Sequence, residues 1–318
     1  MSPSVCKDKS ETRFRLGSVR ESLNRPEGYL PGPDLEDAIQ VALLLRKPLL
    51  LTGRPGTGKT ELGRYLASAM NLPHEKFVAK SNSIARDLFY TYDAIGHFRS
   101  AGGDVKPFLT FNGLGRAFLN CAKPTDDLMA VLPERIPGEP KQSVVVIDEI
   151  DKAPRDFPND LLNEIDLKYF HIPELRNVKV EALEDKAPIL VITSNSEKNL
   201  PDAFLRRCVY YDIPFPGERE LKRIVSRRLV ELADAEAPLL QAAVGKFLLL
   251  AGDSSPMQHK PGTAELLDWI AALLESGAKA DVEPDMELIR KTYTAMVKRR
   301  DDDDAARQSL GLPARAAS

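Results

Sequence analysis

Gly53 to Thr60 reads Gly-Arg-Pro-Gly-Thr-Gly-Lys-Thr, and this spacing of glycines, lysine and hydroxyl is the one phosphate chemistry uses. Gly53, Gly56 and Gly58 let the backbone turn where a side chain would resist and aim successive N–H groups at one point. The start of the following helix adds positive dipole. Lys59 then reaches the β- and γ-phosphates of a nucleotide, and Thr60 offers its hydroxyl to Mg²⁺. Arg54, Pro55, Thr57 and Glu61 complete the expected binding loop. The alternative is a glycine-rich turn that binds nothing. The apolar KPLLLT before the loop and the helix-like ELGRYLASAM after it disfavour that reading, because the mechanism needs a strand on one side and a helix on the other.

The second constellation is SVVVIDEIDKAP, Ser143 to Pro154. Its apolar run suits a strand buried on both faces, and it ends in two adjacent acids. Asp148 would hold Mg²⁺ through water, and Glu149 would take a proton from the water that attacks the γ-phosphate. Capping or solvated acids are the alternative. A third run, PILVITSNSEKNLP, carries an apolar strand into Asn195, whose amide can orient water where a neighbouring parallel strand ends; a turn-forming Asn is the plainer reading. DAFLRRCVYYDIPFP then offers a short helix bearing Arg206 and Arg207 before a fifth strand, with surface solvation as the alternative for the arginines.

These residues need elements to position them. Leu35, Ile39, Ala42 and Leu43 stand at helical spacing ahead of Pro48, giving a helix that leads into the first strand. HEKFVAKSNS suits a second strand, and residues 169–186 suit a hairpin. Residues 104–142 are irregular and rich in turn residues; within them Phe111, Asn112, Gly113 and Leu114 read either as a turn capping a packed helix or as an apolar loop that grips a partner. The aromatics of RDLFYTYDAIGHFRSAGG can pack or project.

Composition sets limits. The 318 residues exceed one ordinary domain, and 29% charged with 43% hydrophobic residues is usual for a globular enzyme. The net charge of −3 exerts no global pull on nucleic acid or anionic membrane. Cys6, Cys121 and Cys208 lack metal or disulfide spacing and suit packing in a reducing compartment. No apolar run is long enough to span a membrane, and the polar start has no signal-like core, so the expected location is cytoplasmic without membrane insertion.

Taken in order, GRPGTGKT, VVVIDEID followed by KAPRDFPNDLLNEI, TSNSEKNLP and LRRC resemble the AAA+ ATPases, and within them the MoxR-like branch, over about residues 28–216. The resemblance implies an α/β domain with a parallel sheet ordered 5-1-4-3-2 and ATP on the Walker A loop. It also implies Mg²⁺ and water at Asp148 and Glu149, Asn195 as sensor 1, and assembly into a ring, usually a hexamer. LPDAFLRR is similar to the family's arginine-finger segment, which makes Arg207 the finger and Arg206 a further candidate. The helical periodicity from Gly217 matches the family's all-α lid. No sensor 2 arginine is evident: Ala264 or Glu265 stands near its place, with Lys260 earlier.

The expected organisation is therefore a mobile arm at 1–27, the ATPase domain at 28–216, a helical lid at 217–298 and a disordered tail at 299–318, where Asp301–Asp304 form a like-charge run. The expected activity is ATP hydrolysis coupled to remodelling or maturation of a protein partner that the sequence does not name. A nucleic-acid motor or loader, and an ATP-gated assembly scaffold with slow hydrolysis, are the rival readings.

Overall fold

Leu49–Leu51 and Val144–Ile147 are uninterrupted apolar runs, and each becomes a strand buried on both faces. The computed structural model describes residues 19, 23, 25–100, 103–133, 137–195 and 200–314. Its strands are β1 (Leu49–Gly53), β2 (His74–Val78), β3 (Tyr90–Tyr92), β4 (Leu109–Phe111), β5 (Val144–Asp148), β6 (Tyr169–Ile172), β7 (Val178–Glu181), β8 (Ile189–Thr193) and β9 (Val209–Ile213). Five of them form a parallel sheet in the order β2-β5-β8-β1-β9. Counted among themselves in chain order, that is 5-1-4-3-2, as expected.

Alternation along the strands sorts the core into two layers. Val145 and Ile147, with Leu50 and Ile192, pack under Leu114 and Phe118 of the helix Gly113–Cys121 and under Leu161 and Leu162 of the helix Phe157–Leu167. Val144 and Val146, with Leu49, Leu51 and Val191, face Leu62 and Leu66 of the helix Lys59–Ala69 and Leu35 and Ile39 of the helix Pro33–Leu45. Because all five strands are parallel, their carboxyl ends lie along one edge, where Gly53, Asp148 and Thr193 are terminal residues. Two antiparallel hairpins stand apart from this sheet, β3–β4 and β6–β7; the second lies within the hairpin expected at 169–186.

Of the two readings of Phe111 and Leu114, packing is the one realised, since the side chains are 1% and 0% exposed. Ile95 and Phe98, on the short helix Ala94–Arg99 between β3 and β4, are exposed apolar residues nearby, with Phe98 86% exposed. Phe111→Ala should therefore lower unfolding free energy by about 3–5 kcal/mol, as core Phe truncations do, and Phe98→Ala should change it by no more than about 0.5 kcal/mol. Urea titration of the two variants against the wild type checks this, and equal losses would contradict it.

The chain divides into two compact units, one of residues 26–224 with 262–264, the other of 1–25, 225–261 and 265–318. The sheet belongs to the former. The division falls inside the helix Glu218–Arg228, not at the expected residue 217. The other unit is helical, with Leu240, Phe247, Leu266, Trp269 and Ile289 fully buried and the Trp269 indole N–H donating to the Thr292 hydroxyl at 3.0 Å.

The expectation of a disordered tail is corrected for 300–314. Arg300–Asp302 is a 3₁₀ turn and Asp303–Leu310 a helix. The acids that looked like a solvated run are partnered: the Asp302 carboxylate accepts the Gln258 and His259 N–H groups at 2.7 and 3.1 Å, and Asp303 accepts the Tyr293 hydroxyl at 2.6 Å. Residues 315–318 and most of the expected N-terminal arm, 1–18 included, lie outside the described residues. The described end of that arm is tethered, with the Val19 N–H on the Glu275 carboxylate at 2.7 Å and Arg228 on the Leu23 and Arg25 carbonyls at 2.7 and 3.2 Å. Among the described residues no helix is long and apolar enough to cross a membrane.

Candidate functional site

Gly53 ends β1 with φ 134°, and a Cβ there would lie 2.7 Å from the Ile213 carbonyl oxygen, so the turn out of the strand requires glycine. Gly58, with φ 87°, delivers the chain into the helix that starts at Lys59. Between them the Thr57 hydroxyl donates to the Arg54 carbonyl at 2.9 Å, folding the loop on itself, and the Arg54 guanidinium lies over the Phe215 ring at 5.6 Å. The Lys59 ammonium lies inside this loop and donates to the Gly53 and Arg54 carbonyls at 2.8 and 3.0 Å. Burial holds it below the usual lysine range, against the opposing pull of Asp148, Asp151, Asp212 and Glu149. Glu61 pairs with Arg64 on the first turns of the same helix.

Asp148, the last residue of β5, is the hub. Its Oδ1 accepts the Thr60 hydroxyl at 2.9 Å and the Thr193 hydroxyl at 2.5 Å, and its Oδ2 pairs with the Lys76 ammonium at 2.8 Å. Burial alone would raise this carboxyl; the donors Lys76, Thr193 and Thr60 outweigh it and hold the group below the usual aspartate range. Thr60 and Asp148 supply a hydroxyl and a carboxylate side by side, a hard-oxygen pair that fits Mg²⁺, which takes few protein ligands and completes its shell with phosphate and water.

Glu149 follows with φ 58°, outside the strand geometry, and its N–H donates to the Thr193 hydroxyl at 3.1 Å. Its carboxylate pairs with Lys152 at 2.6 Å, which raises the Lys152 ammonium above its usual value. Asp151 fastens the end of β8: its Oδ1 accepts the Ser194 hydroxyl and the Asn195 N–H, both at 3.2 Å. Asn195 is exposed, and residues 196–199 lie outside the described residues.

Arg206 and Arg207 follow the short helix Asp202–Leu205 and are exposed, with no hydrogen-bond or ion-pair partner for either guanidinium among the described residues. They precede β9, whose Val209 pairs with Leu49 and whose Ile213 pairs with Gly53. The arginines therefore enter the sheet at the edge opposite the phosphate loop. Lys260 donates to the Asp253 carbonyl at 3.1 Å, whereas the Ala264 N–H, at the start of the helix Thr263–Glu275, donates to the Gly56 carbonyl at 3.3 Å.

Sequence reasoning missed Lys76, Lys152, Asp151 and Thr193. Asp151, Lys152 and Thr193 stood inside recognised motifs without a role of their own, Thr193 reading as the end of an apolar run; Lys76 read as an ordinary charge on an edge strand. The family model for the AAA domain, dynein-related subfamily, matches residues 48–208, which is half of the chain. The chain belongs to this AAA family. The AAA match runs from Pro48, just ahead of β1, to Cys208, just ahead of β9, and so contains the loop, Asp148 and Glu149, Asn195 and both arginines.

Curated relatives of this AAA chain are similar at lower identity. They include CD-NTase-associated protein 6 of Pseudomonas aeruginosa, 28% identical over 190 residues covering 58% of this chain and 54% of that protein. A Lon protease of Xanthomonas oryzae pv. oryzae is 29% identical over 195 residues, covering 58% of this chain and 19% of its own length. The chain thus spans about half the length, or less, of the curated relatives it matches. Among solved structures, the Thermotoga maritima RuvB P216G mutant is 15% identical with a TM-score of 0.49 and covers 93% of this chain and 82% of its own. AAA+ proteins bind nucleotide, typically with Mg²⁺, and typically assemble into rings.

Proposed function

We propose that the chain hydrolyses ATP as a cytoplasmic, MoxR-like ring ATPase, a hexamer by analogy, and couples the cycle to remodelling or maturation of a protein partner. The observation that carries the hydrolytic part is the junction of Thr60 and Asp148 at 2.9 Å, with Lys59 in the adjoining loop and Glu149 as the next residue. Lys59 would exchange the Gly53 and Arg54 carbonyls for β- and γ-phosphate oxygens, while the Gly56 to Thr60 backbone donates N–H groups to the same phosphates. Mg²⁺, held by Thr60 and Asp148, would neutralise phosphate charge. Glu149 would take the proton of the attacking water once its carboxylate leaves Lys152, and Asn195 would orient that water.

The remodelling part is supported by an exposed apolar tip, Ile95 and Phe98, on a short helix that is not part of the parallel sheet. Cys121 is buried and Cys208 partly buried, and this desolvation pushes both thiols up to about 12, which suits packing cysteines in a reducing compartment.

Phosphate release by the purified chain tests the reading. Release should require Mg²⁺ and be insensitive to added duplex or single-stranded DNA at moderate salt. Stimulation by DNA that fades as salt rises would favour the motor reading, and oligomerisation with ATP but without release would favour the scaffold.

A further inference from the structure

We propose that Lys76 is the resident counter-cation of Asp148 in the nucleotide-free protein and that Mg²⁺ displaces it. The inference rests on the reading of this site as an Mg²⁺–nucleotide site.

Val78 pairs with Asp148 across β2 and β5, and Lys76 pairs with Val146. Lys76 and Val78 share a sheet face, so Lys76 is the diagonal neighbour of Asp148, within reach of a long side chain. That reach is used, with the ammonium 2.8 Å from Oδ2. The other nearby cation, Lys59, is engaged by the carbonyls of its own loop. Thr60 and Thr193 bring hydroxyls but no charge. Lys76 is thus the only full positive charge in contact with the carboxylate among the described residues, and a buried carboxylate requires one.

The same contact obstructs the metal. Both Asp148 oxygens are occupied, Oδ1 by the two hydroxyls and Oδ2 by Lys76. A dication drawn to this carboxylate meets an ammonium already bound to it, and in a partly desolvated site the two like charges repel strongly. Lys76 has a way out. Its side chain is 39% exposed and lines an open groove of about 570 Å³ with Lys80, Asn82, Ser83, Asn112 and Arg116. Its four-carbon stem can swing into that groove and return the ammonium to water. In the absence of metal Lys76 keeps the acid paired, and the need to expel it raises the Mg²⁺ concentration required for tight nucleotide binding.

The test is the Mg²⁺ dependence of binding of a fluorescent, non-hydrolysable ATP analogue to wild type, Lys76→Met and Lys76→Arg. Lys76→Met should reach half-saturation at about ten-fold lower Mg²⁺, the factor expected from removing one like-charge contact of ordinary strength, whereas Lys76→Arg should keep the wild-type midpoint. An unchanged or higher midpoint for Lys76→Met overturns the proposal. Amine methylation read by mass spectrometry tests the wild type itself and decides the matter should Lys76→Met fail to fold. Lys76 should label faster with Mg²⁺ and the analogue than with the analogue and EDTA; equal or slower labelling overturns displacement. Failure of the analogue to bind at any Mg²⁺ concentration would instead overturn the assignment of the nucleotide site.

Discussion

Glu149→Gln is expected to bind ATP about as tightly as the wild type while phosphate release falls by roughly 10²–10⁴, the range that a positioned general base contributes. The substitution keeps the shape of the side chain and removes its capacity to take a proton. The direction of residue 149 is set by its backbone, at φ 58° with the N–H on the Thr193 hydroxyl, and neither feature depends on the carboxylate. What the variant loses besides basicity is the pair with Lys152 at 2.6 Å, an exposed contact of small energetic weight. Lys59→Ala should show the opposite pattern and fail to bind, because it removes the cation held within the loop. Equilibrium binding of a fluorescent nucleotide, with single-turnover phosphate release, separates the two. Wild-type turnover by Glu149→Gln would move the proton acceptor to another residue.

How far the sequence reveals this site depends on what each residue interacts with. The apolar runs at Leu49–Leu51 and Val144–Ile147 have no polar face, so burial between two layers and a parallel sheet follow from local composition. The glycines of the loop are legible because their backbone angles exclude other residues. Lys76 is different. In HEKFV it alternates with its neighbours as any solvent-facing lysine on an edge strand does, and only the pairing of Val78 with Asp148 brings it to the carboxylate. Thr193 is hidden in the same way, as a hydroxyl at the end of an apolar run whose partner lies on a neighbouring strand. The acidic tail misleads for a related reason. A like-charge run reads as solvated, yet Asp302 accepts two backbone N–H groups from residues more than forty positions earlier, and no local pattern encodes that.

Arg207→Ala should bind ATP normally and lose roughly 10³–10⁵ in turnover, the effect of removing a guanidinium that neutralises charge in phosphoryl transfer. The sheet geometry makes this a claim about a neighbouring subunit. β9 runs parallel to β1, with Val209 opposite Leu49 and Ile213 opposite Gly53, so the arginines enter ahead of Val209 while the phosphate loop leaves after Gly53. At about 3.3 Å per residue these points lie at least roughly 13 Å apart along the strand pair, longer than an arginine side chain reaches. Both guanidinia are exposed and without a partner in their own chain among the described residues, as required of a group that completes another subunit's site. Activity per subunit should accordingly rise with protein concentration. Arg206→Ala is the control: if Arg207 is the finger, this variant keeps most of its turnover. Mixing Arg207→Ala with Lys59→Ala, each nearly inactive alone, should restore turnover, because an intact phosphate loop from the first then meets an intact arginine from the second. With subunit exchange verified by labelled protein, absence of rescue together with constant activity per subunit on dilution to monomer would show that Arg207 does not act across an interface.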